Sequence, residues 1–351
     1  VKGSVLLNWI PFDNPWSGSA RRAVELHSRL ARRFRIRAAV KDGFSGCGVA
    51  TVKAAARRGM ASRLSEGLPW FWRRLEPFDL WVTDTLPVPR FVQGVRTVIT
   101  VHDLRHLADR RYLSPGRYLL LKMFLGPGIA RADAVVTVSE WMAGCIGQAY
   151  PSSRSKLHVI PNAPAPPAGD DPPPVEPPYI LTVGHLEARK DQGTLLEAFS
   201  RISGKWEGKL VLVGRGPLQT GLQNLAERLG IRSRVVFAGA VDDRRRTALY
   251  RGCSCLVCPS LYEGFNLTVL EGLAEGIPVA VSDIPPHRET AGGAASYFTP
   301  GDPEALAETL LSVLRHVDFS PETGMARAAE FSWDASAARL GDLYESLLKG
   351  V

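Results

Sequence analysis

Half of the sixteen residues from 163 to 178, Ala-Pro-Ala-Pro-Pro-Ala-Gly-Asp-Asp-Pro-Pro-Pro-Val-Glu-Pro-Pro, are proline. Proline lacks a backbone N–H and fixes φ, so this stretch fits neither a helix nor an interior strand and reads as a stiff connector. It divides a 351-residue chain, too long for one ordinary hydrophobic core, into two halves. Before it, strand patterns at Gly3 to Ile10, Arg35 to Lys41, Asp79 to Asp84, Arg96 to His102 and Ala134 to Ser139 alternate with helix-length segments such as Gly18 to Arg33. After it, strands restart at Tyr179, Lys209, Arg234, Ser254 and Pro278. That alternation is the pattern of an α/β fold, with one doubly wound parallel sheet in each half. The expected domains are residues 1–165, 166–331 and a capped amphipathic helix in 332–351.

The second half carries the densest chemistry. Leu256 to Cys258 reads as a buried strand, Glu263-Gly264 as a turn, and Leu267 to Glu275 as a helix whose first amides face that turn. A helix start of this kind attracts a diphosphate, which makes Gly264, Phe265, Asn266 and Leu267 candidate donor-binding positions. Glu263 lies just before the helix and Glu271 about a turn into it, so the two carboxylates straddle the phosphate position. Glu263 is expected to reach sugar hydroxyls and Glu271 a ribose. Upstream, Tyr179 to Asp191 reads as strand, glycine loop and helix start, with Arg189-Lys190 as a basic turn.

Two further places belong to the first half. Trp16-Ser17-Gly18-Ser19 is a glycine turn after the first strand, and Thr97 to Asp103 ends a buried strand on His102 and Asp103, at the edge where open α/β sheets hold ligands. Gly214-Arg215-Gly216-Pro217 has the look of a dinucleotide fingerprint, but its proline and missing third glycine argue against one.

The phrase Pro259-Ser260-x-x-Glu263-Gly264-Phe265, continued by Glu271-Gly272-x-Ala274-x-Gly276-Ile277-Pro278-Val279, closely resembles the retaining GT-B glycosyltransferases of the family-4 type. The resemblance is strong over residues 179–300 and diffuse over 1–160. It implies a GT-B fold, two Rossmann-like domains facing across a cleft, with the C-terminal helix crossing back to the first. It also implies that Arg189 and Lys190 meet the donor diphosphate, that Gly18 lets a backbone amide approach it, and that His102 contacts the transferred sugar. Asp103 would orient His102 or bind the acceptor, and Glu263 joins both as a catalytic candidate. Many relatives have Arg or Thr where this chain has His185, and Arg189 is the expected substitute for that cation. Asp283 to Glu289 matches another recurrent family segment and is read as structural.

The activity implied is retaining transfer of a hexose or deoxyhexose, mannose or rhamnose favoured, from a nucleotide-diphosphate sugar to a glycan or lipid-linked glycan of a surface polysaccharide. No cofactor or metal is expected, because no Asp-x-Asp follows a strand to hold Mg²⁺ and the two cations take that role. A sugar-nucleotide epimerase and a noncatalytic nucleotide-sugar-binding protein are the rival readings; the first would turn the donor over without an acceptor, the second would lose the reacting groups.

Composition narrows the setting. With 45% hydrophobic and 22% charged residues the chain is ordinary globular material. No apolar run reaches the ~18 residues that span a bilayer, and no basic-then-apolar leader opens the chain, so a cytoplasmic location is expected. Five cysteines without a disulfide framework agree, and Cys253-x-Cys255-x-x-Cys258 reads as strand packing rather than a metal cluster. Residues 1–165 carry 25 Lys or Arg against 11 Asp or Glu, while residues 166–351 carry 18 against 24. That asymmetry points to an anionic membrane beside the first domain, at the inner face of the cytoplasmic membrane, with Trp70, Phe71, Trp72, Arg73 and Arg74 as the expected contact. No nucleic-acid motif accompanies the basic charge.

Overall fold

The computed structural model describes residues 3–10, 12, 17–40, 48–53, 68, 71–72, 75, 77–84, 88–90, 94–315 and 319–349. The chain forms two compact units, Val1–Asn162 with Ser332–Val351, and Ala163–Phe331. The sequence placed the division three residues later.

The first unit is built on a seven-stranded parallel sheet of β1 (Ser4–Asn8), β2 (Arg35–Val40), β3 (Ala50–Lys53), β4 (Leu80–Thr83), β5 (Arg96–Val101), β6 (Ala134–Thr137) and β7 (Leu157–Val159). The spatial order is β3-β2-β1-β4-β5-β6-β7, so the strand sequence reverses direction between β1 and β4. Strands β1, β4 and β6 are buried along their whole length, as a sheet covered on both faces requires. The covering helices are α1 (Gly18–Leu30), the short α2 (Arg105–Ala108), α3 (Pro115–Arg131) and α4 (Glu140–Ala149).

The second unit holds a six-stranded parallel sheet of β8 (Tyr179–Val183), β9 (Lys209–Val213), β10 (Val235–Gly239), β11 (Cys255–Cys258), β12 (Val279–Ser282) and β13 (Ser296–Phe298), ordered β10-β9-β8-β11-β12-β13. Its helices are α5 (Gln192–Ile202), α6 (Gln219–Arg228), α7 (Asp243–Gly252), α8 (Leu267–Ala274), α9 (Pro285–Ala291), α10 (Pro303–Leu314) and α11 (Pro321–Ala329). The chain then returns to the first unit as α12 (Trp333–Lys349). The reversal here lies between β8 and β11, and the loops leaving those two strands carry Arg189-Lys190 and Glu263.

The α12 helix is fixed to α1 by buried and charged contacts. Tyr344, fully buried, places its hydroxyl 3.0 Å from His27 Nε2, and Arg33 bridges to Asp342 and Glu345 at 2.9 and 2.6 Å. The His27 Nδ1–H donates to Ala23 O at 2.8 Å, so Nε2 is the acceptor for the tyrosine, and burial pushes this imidazole down to about 4.

The proline-rich segment is not free-standing. Ala168 N donates to Thr247 Oγ1, Arg244 pairs with Asp171 at 2.8 Å, and Arg251 pairs with Asp170 at 2.6 Å, fastening it along α7. Gly214 and Gly216 serve close backbone approach. A Cβ on either would stand 1.9 Å from Gly184 O or 2.2 Å from Leu186 O, and Leu186 N donates to Arg215 O at 3.1 Å. These glycines let the loop after β8 pack closely against the loop after β9.

The Cys253, Cys255 and Cys258 thiols are buried in the core around β11, where desolvation pushes the last two up to about 12. Phe71 and Trp72 correct an expectation. They are buried, with Trp72 edge-on to Trp81 at 5.5 Å, because large aromatic surface gains most by leaving water, and they are not a membrane contact. Trp70, Arg73 and Arg74 lie outside the described residues.

Candidate active site

In the second unit the apolar run of β11 breaks at Pro259, and the chain turns through Ser260 to Gly264 before α8 begins. Glu263 is buried in that turn, and its side chain accepts from three donors. Oε1 accepts from Lys190 Nζ at 2.5 Å and from Ser260 Oγ at 2.8 Å; Oε2 accepts from Arg189 Nη1 at 2.6 Å. Both cations come from a single 3₁₀ turn after β8, whose end at Asp191 is left-handed (φ 48°). Leu261 N donates to Arg189 O at 2.8 Å, tying the two loops together. Arg189 also reaches Glu187 at 2.7 Å, and His185, more than half exposed, stands 3.4 Å from the same carboxylate.

Burial alone would raise the Glu263 carboxyl, but Arg189 and Lys190 outweigh it and bring it down to about 2. The carboxylate is therefore ionised at every physiological pH. A carboxylate offers about four lone-pair directions, and three are occupied here, which leaves one on Oε2. The sequence assigned Glu263 to a sugar and the two cations to phosphate. The structure shows that these three groups form one cluster.

The helix start is braced from behind. Asn266 caps α8 by accepting from Thr268 N at 3.2 Å, while its amide donates to His287 Nε2 at 2.9 Å. The His287 Nδ1–H donates to Ser282 O at 2.8 Å, and burial holds this imidazole down at about 4, so it is neutral and its tautomer is set. Ser282 Oγ donates to Ser260 O at 2.5 Å. The segment Asp283 to Glu289, read as structural, thus supplies the histidine that orients Asn266. Gly264 is buried and Phe265 packs edge-on against Phe331 at 5.8 Å. Leu267 opens the helix.

Glu271 lies in the second turn of α8 and is buried. Tyr250, on α7, donates its hydroxyl to Glu271 Oε2 at 2.8 Å, and Arg246 Nη2 lies 3.5 Å from Oε1. Sequence reasoning missed both partners. They stand four residues apart, hence on one face of α7, and that spacing was the available signal.

In the first unit Gly18 is the exposed first residue of α1, which Ser17 caps through Ala20 N at 3.3 Å. His102 follows β5 with its side chain 26% exposed, and its Nε2 lies 3.4 Å from Asp84 Oδ1, a long contact. Asp84 directly follows β4, which lies next to β5 in the sheet and at the strand-order reversal. Its burial favours the neutral acid, but His102, Thr100 and Arg22 together hold it below the usual carboxylate range. Arg22 is buried on α1, donates to Asn162 Oδ1 at 2.8 Å, and is lowered by desolvation to about 10. Asp103, expected to orient His102 or to bind the acceptor, is paired with Arg105. Its carboxylate is engaged by Arg105, with Nη2 at 2.6 Å and the Arg105 backbone N at 3.1 Å, and the carboxylate facing His102 is Asp84.

Two doubly wound parallel-sheet units define a GT-B type of fold. The model for "Glycosyl transferases group 1" matches residues 170–323 and that for "Glycosyltransferase Family 4" matches residues 16–163. The chain belongs to the family-4 type of GT-B glycosyltransferases. It is 28% identical over 269 residues to O-antigen chain mannosyltransferase B of Escherichia coli, covering 72% of this chain and 71% of that one. It is 26% identical over 287 residues to the D-inositol 3-phosphate glycosyltransferase of Segniliparus rotundus, covering 73% and 62%. Among solved structures, sucrose-phosphate synthase from Thermosynechococcus elongatus superposes with a TM-score of 0.77 at 20% identity, over 99% of this chain and all (100%) of that one. Anabaena HepE in complex with UDP and glucose superposes at 0.74 with 16% identity, over 98% and 100%. These structural likenesses concern the fold.

Proposed function

We propose that this glycosyltransferase moves a hexose or deoxyhexose, mannose or rhamnose favoured, from a nucleotide-diphosphate sugar to a glycan or lipid-linked glycan acceptor. The observation that carries the reading is the convergence of Arg189 and Lys190 on one buried carboxylate at the β8/β11 reversal. The two side chains offer an Arg fork and a Lys point charge suited to a diphosphate. The sugar preference draws on the mannosyltransferase relatives, among them RfbU of Salmonella typhimurium, 28% identical over 61% of this chain and 60% of its own length.

Transfer proceeds with retention. The bond between the anomeric carbon and the leaving phosphate oxygen breaks as the acceptor hydroxyl forms its bond on the same face, and the acceptor proton passes to the leaving phosphate. Arg189 and Lys190 stabilise the negative charge that grows on that phosphate, without a metal. Glu263 holds the two cations in place and keeps one lone pair for the donor sugar, while Glu271, oriented by Tyr250, binds the ribose. His102, backed by Asp84, contacts the transferred sugar. The setting is the cytoplasm, at the inner face of its membrane; among the described residues no helix is long and apolar enough to cross one.

The test is turnover of GDP-, dTDP- and UDP-sugars with polysaccharide-type acceptors, in EDTA. The expected product keeps the donor's anomeric configuration by NMR. Inversion, or activity that chelation abolishes and Mg²⁺ restores, overturns the mechanism.

A further inference from the structure

The helix α3 is apolar on two sides. Leu125 and Ile129 face the core, while Leu119 and Met123, one turn apart, stand 52% and 54% exposed toward solvent. Leu107, on the adjoining α2, is 56% exposed. These are three of the largest exposed apolar side chains among the described residues, and they gather within seventeen positions of sequence. Three such side chains exposed together on neighbouring helices mark a surface that gains from being covered.

The charges around them say what kind of surface does. From Leu104 to Arg131 there are six Lys or Arg and one carboxylate, Asp109. Asp109 is taken up by Arg111 at 2.7 Å, and Arg105 is taken up by Asp103, which leaves the region strongly cationic. Arg110, Arg117 and Lys122 are exposed, with Lys122 one turn from Leu119 and its ammonium 5.9 Å from the Tyr118 ring. Exposed apolar residues interleaved with cations, with a single carboxylate among them, are the composition of a helix that lies in a lipid interface. A second copy of the chain would set the same cations against one another, so charge disfavours that occupant.

We infer that α2 and α3 form a membrane-docking face, in which Leu107, Leu119 and Met123 enter the acyl boundary and Arg110, Arg117 and Lys122 meet anionic headgroups. This deepens the reading of a membrane-borne acceptor and moves the contact away from residues 70–74. The face lies in one unit, on elements separate from Arg189, Lys190 and Glu263.

The experiment is co-sedimentation of the whole protein with phosphatidylcholine vesicles, with and without phosphatidylglycerol, without any sugar donor. The protein should bind the anionic vesicles and not pure phosphatidylcholine, and added salt should weaken binding. Leu119→Ser/Met123→Ser and Arg117→Glu/Lys122→Glu should each cut the partition coefficient about tenfold or more. The charge variant changes only exposed side chains, so it keeps the test open if the apolar variant folds poorly. Equal binding by wild type and both variants, or no binding by wild type, overturns the proposal. Loss of a dimer in the Leu119→Ser/Met123→Ser variant, seen by sedimentation velocity without lipid, would assign the face to a second copy instead. Because no donor is present, failure here leaves the transfer reading intact, and failed transfer with intact vesicle binding leaves this face intact.

Discussion

Lys190 Nζ donates to Glu263 Oε1 at 2.5 Å, and Arg189 Nη1 donates to the other oxygen of the same carboxylate at 2.6 Å. Side chains on two loops, leaving two different strands, thereby form a nearly dry cluster in which one anion orders two cations. The physical effect is preorganisation. Long cationic side chains lose much rotamer freedom when they bind a phosphate, and here much of that loss is taken at folding.

Removing the charge at this point should therefore be felt twice. Glu263→Gln leaves Arg189 and Lys190 facing each other without their carboxylate. The expected stability loss is about 1–3 kcal/mol, with kcat down roughly 10- to 100-fold. Donor KM should change much less, because the cations still attract phosphate. Thermal unfolding and steady-state kinetics on the same variant check both; an unchanged kcat would show that Glu263 is only a structural counter-ion.

Acid should destabilise the protein in two stages. His27 and His287 have folded values of about 4, below their ordinary 6.5, so the unfolded chain takes up protons first and stability falls as pH drops from 6.5 to 4. Glu263, at about 2 against an ordinary 4.5, contributes stability above 4.5 that is lost between 4.5 and 2. Each group accounts for about 3 kcal/mol over its window. His27 belongs to the first unit and His287 to the second, so denaturant curves that resolve two transitions should show a histidine step in each. A flat stability profile from pH 6.5 to 4 would contradict the buried neutral imidazoles.

Much of this was legible in sequence wherever the signal was local. The strand-to-helix alternation, the glutamates at 263 and 271 and the basic turn at 189–190 each lie within one short segment, and periodicity and turn chemistry read short segments well. What the sequence hid are pairings between segments. Asp84 reaches His102 from the neighbouring strand, eighteen residues away, so Asp103, its sequence neighbour, was preferred. Tyr250 reaches Glu271 from another helix. Phe71 and Trp72 had the look of interfacial aromatics because Arg73 and Arg74 follow them, but an aromatic pair beside arginines can equally be core, and Trp81 across the packing decides it.

Tyr250→Phe removes a single hydroxyl from a buried contact and leaves Glu271 Oε2 without that donor. Such a loss costs about 1–2 kcal/mol where it is felt. If the tyrosine serves to aim Glu271 at ribose, donor KM should rise about threefold to tenfold with kcat nearly constant. The discrimination between a nucleotide donor and its 2′- and 3′-deoxyribose counterparts should shrink as well. Wild-type discrimination in the variant would mean that Tyr250 only packs α7 against α8.

Asp84 and Asp103 make the sharpest comparison, since both are carboxylates beside His102 in sequence or space and Asp84 stands 3.4 Å from its imidazole. Asp84→Asn keeps the shape of the side chain but removes the negative charge that sits 3.4 Å from His102 Nε2. It should lower kcat by about tenfold or more, because a histidine that meets a sugar becoming cationic depends on its orientation and local charge. Asp103→Asn weakens the bridge to Arg105, whose two side chains are each 18% exposed, and leaves the Asp84 carboxylate beside His102 in place. Its kcat should stay within about twofold of wild type. Kinetics at saturating donor and acceptor check the pair, and a larger loss at Asp103 than at Asp84 would return the orienting role to the residue that adjoins His102 in sequence.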